Sequence, residues 1–165
     1  MSWCMSQVRT ALLVVALGFS QAQAQPLKVL NDETFEHDTQ ASTGSTTGSW
    51  LVLFSEAGCA KCDEISEELL NIDEDLRQAY VIPAKVWKVD SEKIFKRFGI
   101  TKAPTVLLFR HRKMFRYDNE ASPSLLEWVT GPALEGGVQV PPEPTFFDEL
   151  LDKVKGFFGA GKTEL

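Results

Sequence analysis

Residues 50–62 read WLVLFSEAGCAKC. Trp50 to Phe54 is an unbroken apolar run of strand length, and such a strand needs cover on both faces, as in the middle of a parallel sheet. The chain then changes period. Ile65, Leu69, Ile72, Leu76 and Tyr80 recur at intervals of three or four, so the spacing predicts one helix over about 59–80 with a single apolar stripe. Asp63, Glu64, Glu67, Glu68, Asp73, Glu74 and Asp75 fill its other faces and read as solvated surface. Several of them fall in the first turns, where the helix dipole favours anions. Cys59 and Cys62 stand at the junction of strand and helix.

Outward from this junction, strands and helices alternate. Leu27 to Leu30 is a short strand, and Asn31 or Asp32 can cap a short helix through Phe35. Ser42 to Ser49 holds only Ser, Thr and Gly and reads as a flexible loop. Ala84 to Asp90 is a strand, and Ser91 caps a helix carrying Ile94, Phe95 and Phe98 that ends at Gly99. Pro104 to Phe109 is a second buried strand, and Met114 to Tyr117 returns antiparallel after a basic turn. Ser122 and Pro123 open a helix with Leu125, Leu126, Trp128 and Val129, closed by Gly131. This order implies an α/β fold, one sheet with helices on both faces.

The chain has 165 residues, enough for one domain with a real core and too few for two ordinary ones. Its formal charge of −6 carries no basic footprint for nucleic acid and no cationic face for anionic lipid. Three cysteines are too few for a disulfide-stapled miniprotein, and two histidines argue against a histidine-rich metal site. Residues 1–24 hold one charge, Arg9, then the apolar run Ala11 to Phe19, then Ala22-Gln23-Ala24. That run is too short to span a bilayer, and the pattern is that of a secretory signal peptide rather than an anchor or a buried helix. Cleavage after Ala24 removes Cys4 and leaves Cys59 and Cys62 in a chain with no later membrane-spanning run and no N-glycosylation sequon. Such a chain is expected in a compartment where disulfides form.

At positions i and i+3 of a first helical turn, Cys59 and Cys62 face one side and can bridge. The helix N-terminus favours a thiolate at Cys59, and the apolar stripe runs back to Cys62, so Cys62 is expected to be the more buried sulfur. Three uses remain open for such a pair. Half of a zinc site needs two further ligands, and only His37 and His111 remain among Cys and His. A structural bridge over so short a loop constrains the unfolded chain little. An exposed attacking thiol beside a sheltered resolving thiol is what thiol–disulfide exchange needs.

A strand, a C-x-x-C at a helix start and a later Ala103-Pro104-Thr105 before a strand together resemble a thioredoxin domain, over about Leu27 to Thr130. Within that superfamily the chain is most similar to the protein disulfide isomerase group. The resemblance implies a thioredoxin-like fold with a central mixed sheet, Cys59 and Cys62 as catalytic residues, and no metal or organic cofactor. It also implies a cis Ala103–Pro104 bond facing the cysteines, where an extended client segment pairs with Ala103. Four positions depart from the family: Gly58 replaces a tryptophan, and Leu53 a buried carboxylate that assists the resolving thiol. Glu67 replaces a helix proline, and Ala60-Lys61 stands where isomerases often carry Gly-His. Lys61 favours a thiolate by charge, while Glu56, Asp63 and Glu64 oppose it.

The remaining sequence reads as residues 25–131 for the domain, a Gly- and Pro-rich linker at 132–144, and an amphipathic helix at 145–158. Thr145 and Asp148 have capping-box spacing. Phe146, Phe147, Leu150, Leu151, Val154, Phe157 and Phe158 form the apolar face, which packs on the domain or meets a partner or membrane surface. Residues 159–165 form a flexible tail ending Lys162-Thr163-Glu164-Leu165, similar to the K-D-E-L retrieval signals of the endoplasmic reticulum. The expectation is therefore a luminal thiol–disulfide oxidoreductase acting on unfolded or disulfide-bonded secretory proteins. In a bacterium or without retrieval, the periplasm or the cell exterior replaces the lumen. The alternative is a non-catalytic client- or partner-binding module with a static Cys59–Cys62 bridge.

Overall fold

A computed structural model of the chain describes residues 26–44, 47–118, 124–131, 136–145, 148, 150 and 151. The signal peptide expected at 1–24, the helix start expected at Ser122-Pro123 and the tail expected at 159–165 lie outside the described residues. In chain order the elements are β1 (Lys28–Leu30), α1 (Phe35–Thr39), β2 (Ser49–Ser55), α2 (Ala60–Asn71) and α3 (Asp73–Gln78). There follow β3 (Val81–Trp87), a 3-10 turn (Lys88–Asp90), α4 (Glu92–Arg97), β4 (Thr105–Arg110), β5 (Lys113–Arg116), α5 (Leu125–Thr130) and β6 (Val138–Gln139).

The sheet runs β1-β3-β2-β4-β5-β6, with the first three strands parallel and the last three antiparallel to their neighbours. β2 is buried from Trp50 to Ser55, as its apolar run requires. Its alternation divides the core. Trp50, Val52 and Phe54 pack with Phe35, Phe95, Phe98 and Phe109 under α1 and α4. Leu51 and Leu53 pack with Leu69, Leu76, Leu125 and Val129 under α2, α3 and α5. Both faces of one strand are therefore covered, which places the end of β2 in the centre of the molecule.

Several boundaries differ from the sequence expectation. The helix expected over 59–80 is two helices meeting at Ile72, whose ψ of 8° breaks the α ladder. Leu69 and Leu76 keep their stripe across the break, but Tyr80 does not belong to it. Tyr80 is 84% exposed at φ 59°, because the chain must reverse there to enter β3 at Val81. β3 begins before Ala84 and takes in Pro83, a position where β1 has not yet joined and one side is still an edge. It ends at Trp87, and Lys88–Asp90 forms the 3-10 turn rather than strand.

The capping pattern is also long-range. Asn31 Oδ1 accepts from the Glu33 and Thr34 amides and leads the chain into α1, which starts at Phe35 instead of ending there. Asp32 does not cap that helix. Its carboxylate accepts from the amides of Lys93 (3.3 Å) and Ile94 (2.9 Å) at the start of α4. Ser91 stands at the α4 N-cap, yet its hydroxyl makes no capping bond and is buried without a partner. Gly99, at φ 62°, does end α4: its amide reaches the Lys96 carbonyl and that of Ile100 the Phe95 carbonyl, a Schellman closure.

β4 and β5 form the expected hairpin through His111 and Arg112, both at positive φ, as a two-residue I′ turn requires. Gly136 to Pro144, read as a linker, carries β6 on the sheet edge and a buried Val140. The Arg97 guanidinium donates to the Pro141 carbonyl (2.7 Å) and to Glu36 Oε2 (2.9 Å), pinning this stretch to α4 and α1. Thr145 and Asp148 make the reciprocal capping bonds expected of them, and Asp148, Leu150 and Leu151 are helical. The rest of the helix expected at 145–158 lies outside the described residues. Among the described residues, no helix is long and apolar enough to cross a membrane.

Candidate functional site

The cysteines stand where a buried strand delivers the chain to a helix N-terminus. Gly58 makes the turn between strand and helix at φ 75°, a conformation that favours glycine over any side chain. Cys59 is the N-cap of α2 in extended conformation, and its Sγ accepts from the Cys62 amide at 3.1 Å. Cys59 and Cys62 form a disulfide with a Cα–Cα distance of 5.2 Å. Cys62 is fully buried and Cys59 partly exposed, as the stripe implies. One sulfur can therefore meet a partner while the other stays sheltered.

The Ala103–Pro104 bond is cis. β4 pairs antiparallel with β2, and the last pair is Phe54 with Thr105. Pro104 thus lies one step beyond Phe54, at the end of the sheet from which β2 leads to Cys59. The structure brings all four sequence-derived candidates, Cys59, Cys62, Ala103 and Pro104, to this one end. Glu56 and Lys88 close its rim with a 3.0 Å ion pair between exposed side chains.

Beneath α2 the sheet presents a mixed surface. Leu53 is fully buried, and its register partner on β3 is Lys85. Lys85 Nζ donates to Ser66 Oγ at 3.0 Å and lies 4.0 Å from the centroid of the Trp87 ring. Ser66 in turn donates to the Cys62 carbonyl at 2.7 Å. Two residues on from Leu53, and so on the same face, Ser55 Oγ is buried with no hydrogen-bond partner. Lys85, Ser66 and Ser55 escape the sequence expectation. The available signal was a lone cation inside the apolar strand Ala84 to Trp87. Among the described residues, no three His, Cys, Asp or Glu side chains gather as metal ligands.

No protein-family model matches the chain. It is 38% identical over 92 residues to a thioredoxin domain-containing protein of Theileria parva. That match takes in 56% of this chain and 41% of the relative, so the chain spans less than half the relative's length. Among solved structures it is similar to the J-Trx1 fragment of ERdj5, with TM-score 0.50 and 18% identity over 64% of this chain and 48% of that one. It is also similar to the zinc-bound form of human ERp44, with TM-score 0.51 and 18% identity over 64% of this chain and 28% of that one. Such likeness shows the fold, which is thioredoxin-like.

Proposed function

We propose, from a thioredoxin-like fold with a bridged cysteine pair at the start of α2, that the chain is a thiol–disulfide oxidoreductase of the disulfide isomerase kind. The observation that carries this is the asymmetry of the pair: a partly exposed N-cap sulfur joined to a fully buried one. In the reducing direction the Cys59 thiolate attacks a client disulfide and releases one client thiolate. Cys62 then loses its proton and attacks the Cys59 sulfur. The Cys59–Cys62 bond forms, the second client thiolate leaves, and two electrons have passed to the client. The same steps reversed oxidise a client dithiol. Ala103 and Pro104 would bind the client as an extended segment. The clients proposed are secretory proteins, and the compartment is the lumen of the endoplasmic reticulum. That part rests on the sequence of residues 1–24 and 162–165.

The test is exchange with a disulfide substrate, alongside the equilibrium with glutathione. Cys59→Ser abolishes exchange, and Cys62→Ser accumulates mixed disulfides. A reduction potential near about −180 mV with rapid exchange supports an oxidase or isomerase, and one near about −270 mV a reductase. The buried Leu53, in place of a carboxylate, favours one other reading: a binding module with a static bridge. A very negative potential, slow exchange, and unimpaired client binding by a chain lacking both cysteines would select it.

A further inference from the structure

At the end of the sheet away from the cysteines, β2 begins at Ser49 and β4 ends at Arg110. A groove of about 400 Å³ opens there, walled by Ser49, Ala79, Tyr80, Arg110 and His111. Among the described residues two arginines are half-buried, Arg97 and Arg110. Arg97 is held by the Glu36 carboxylate at 2.9 Å. Arg110 meets no carboxylate among the described residues. Its Nε donates to Ser49 Oγ at 2.9 Å, and one Nη reaches the Val129 carbonyl at a weak 3.4 Å. A guanidinium has five N–H donors, so most of its donors make no bond among the described residues. Burial pushes the Arg110 guanidinium below its ordinary pKa, and no neighbouring negative charge opposes that shift.

We infer that this groove binds a small organic anion: a phosphate or carboxylate group on Arg110 and Ser49, with an apolar body against Tyr80. Arginine presents a planar fork that matches either oxyanion. Ser49 Oγ accepts from Arg110, which leaves its own O–H to donate. The two donors stand side by side. Trp50 pairs with Phe109, so Ser49 and Arg110 take the next position of the same ladder. No acidic residue lines the groove among the described residues. α3 ends beside it, but the Ala79 and Tyr80 amides already occupy the Asp75 and Arg77 carbonyls, so that end turns few free acceptors toward an anion. The body of the ligand has its own wall. The Tyr80 ring is held out in water by a turn, and an aromatic or aliphatic group laid on it takes apolar surface of both out of water. The volume suits a small molecule.

The test is NMR of the isotope-labelled, oxidised full-length chain, titrated with phenyl phosphate, benzoate, inorganic phosphate, acetate and chloride at matched ionic strength. The Arg110 Nε–H and the Ser49, Tyr80 and His111 amides are expected to shift saturably with phenyl phosphate or benzoate, and the tighter of the two identifies the anionic group. Inorganic phosphate and acetate, which have no body to lay on Tyr80, bind about fivefold more weakly than their aromatic counterparts. Tyr80→Ala removes that difference and leaves the two small ions unchanged. Arg110→Gln weakens binding of every oxyanion about tenfold or more, and Arg110→Lys, which keeps the charge without the fork, recovers only part. Should Arg110→Gln fail to fold, Ser49→Ala and the wild-type Arg110 Nε–H signal read the same binding. Shifts that grow linearly and alike with all five anions overturn the inference, and so do saturable shifts unchanged in a folded Arg110→Gln chain. Equal affinity for aromatic and small oxyanions overturns the role given to Tyr80. None of these readings requires thiol exchange, so they stand apart from the oxidoreductase proposal.

Discussion

Single residues decide how this cysteine junction is built. Gly58 supplies a φ that a tryptophan would hold only under strain, and Leu53 leaves the space under α2 without a carboxylate. Ser55 is the odd polar group there: a fully buried hydroxyl with no partner in the disulfide form. An unpaired buried hydroxyl loses its hydration and gains nothing in return. Ser55→Ala is therefore expected to stabilise the oxidised protein by about 1 kcal/mol, read as a higher urea midpoint at unchanged slope. A lower midpoint would mean that the hydroxyl has a partner in solution.

At the scale of elements, helix ends here depend on distant residues. α4 is capped by Asp32, which comes from the segment after β1, while Ser91 at the cap position contributes no bond. Asp32→Ala should cost about 1 kcal/mol, whereas Ser91→Ala should cost nothing and, because its hydroxyl is buried and unpartnered like that of Ser55, stabilise by about the same amount. Chemical denaturation of both variants checks this, and the reverse order would return the cap to Ser91. The division of α2 from α3 has a similar origin. The apolar stripe continues through Ile72, so packing on Val81 and Leu51 holds both helices against β3 and β2 although the ladder breaks between them.

Across the whole molecule, Arg97 joins three parts of the chain. It holds Glu36 of α1 and the Pro141 carbonyl beyond β6. Burial works to raise the Glu36 carboxyl, but hydrogen bonds from Ser42 and Arg97, with the Arg97 charge, hold it below its ordinary 4.5. A carboxylate lowered by folding stabilises the protein at pH above that ordinary value, and the contribution is lost as pH falls through the folded value. Unfolding midpoints measured stepwise below pH 4.5 should therefore drop, and Glu36→Gln should flatten that part of the profile. The same pin gives a boundary prediction. A chain ending after Pro144 keeps β6, Val140 and the Pro141 contact. One ending after Gly131 loses β6, Val140 and the Pro141 contact, and about 2 kcal/mol or more of stability. Equal melting of the two would make residues 132–144 a linker after all.

Features that depend on near neighbours were legible in the chain alone. The apolar run of Trp50 to Phe54 made a strand covered on both faces, and the i, i+3 spacing of Cys59 and Cys62 allowed their bridge. Gly99 ended α4, and Thr145 with Asp148 made a capping box. Each is settled within a few residues, by backbone sterics, side-chain period or hydrogen-bond reach. Long-range packing set the rest: Asp32 caps α4, Val138 and Gln139 join the sheet, Tyr80 turns outward, and Lys85 lies opposite Leu53. The pattern of a chain says which face of an element is apolar, but not which element will cover it. A cap or a buried charge finds its partner only when residues distant in sequence are brought together.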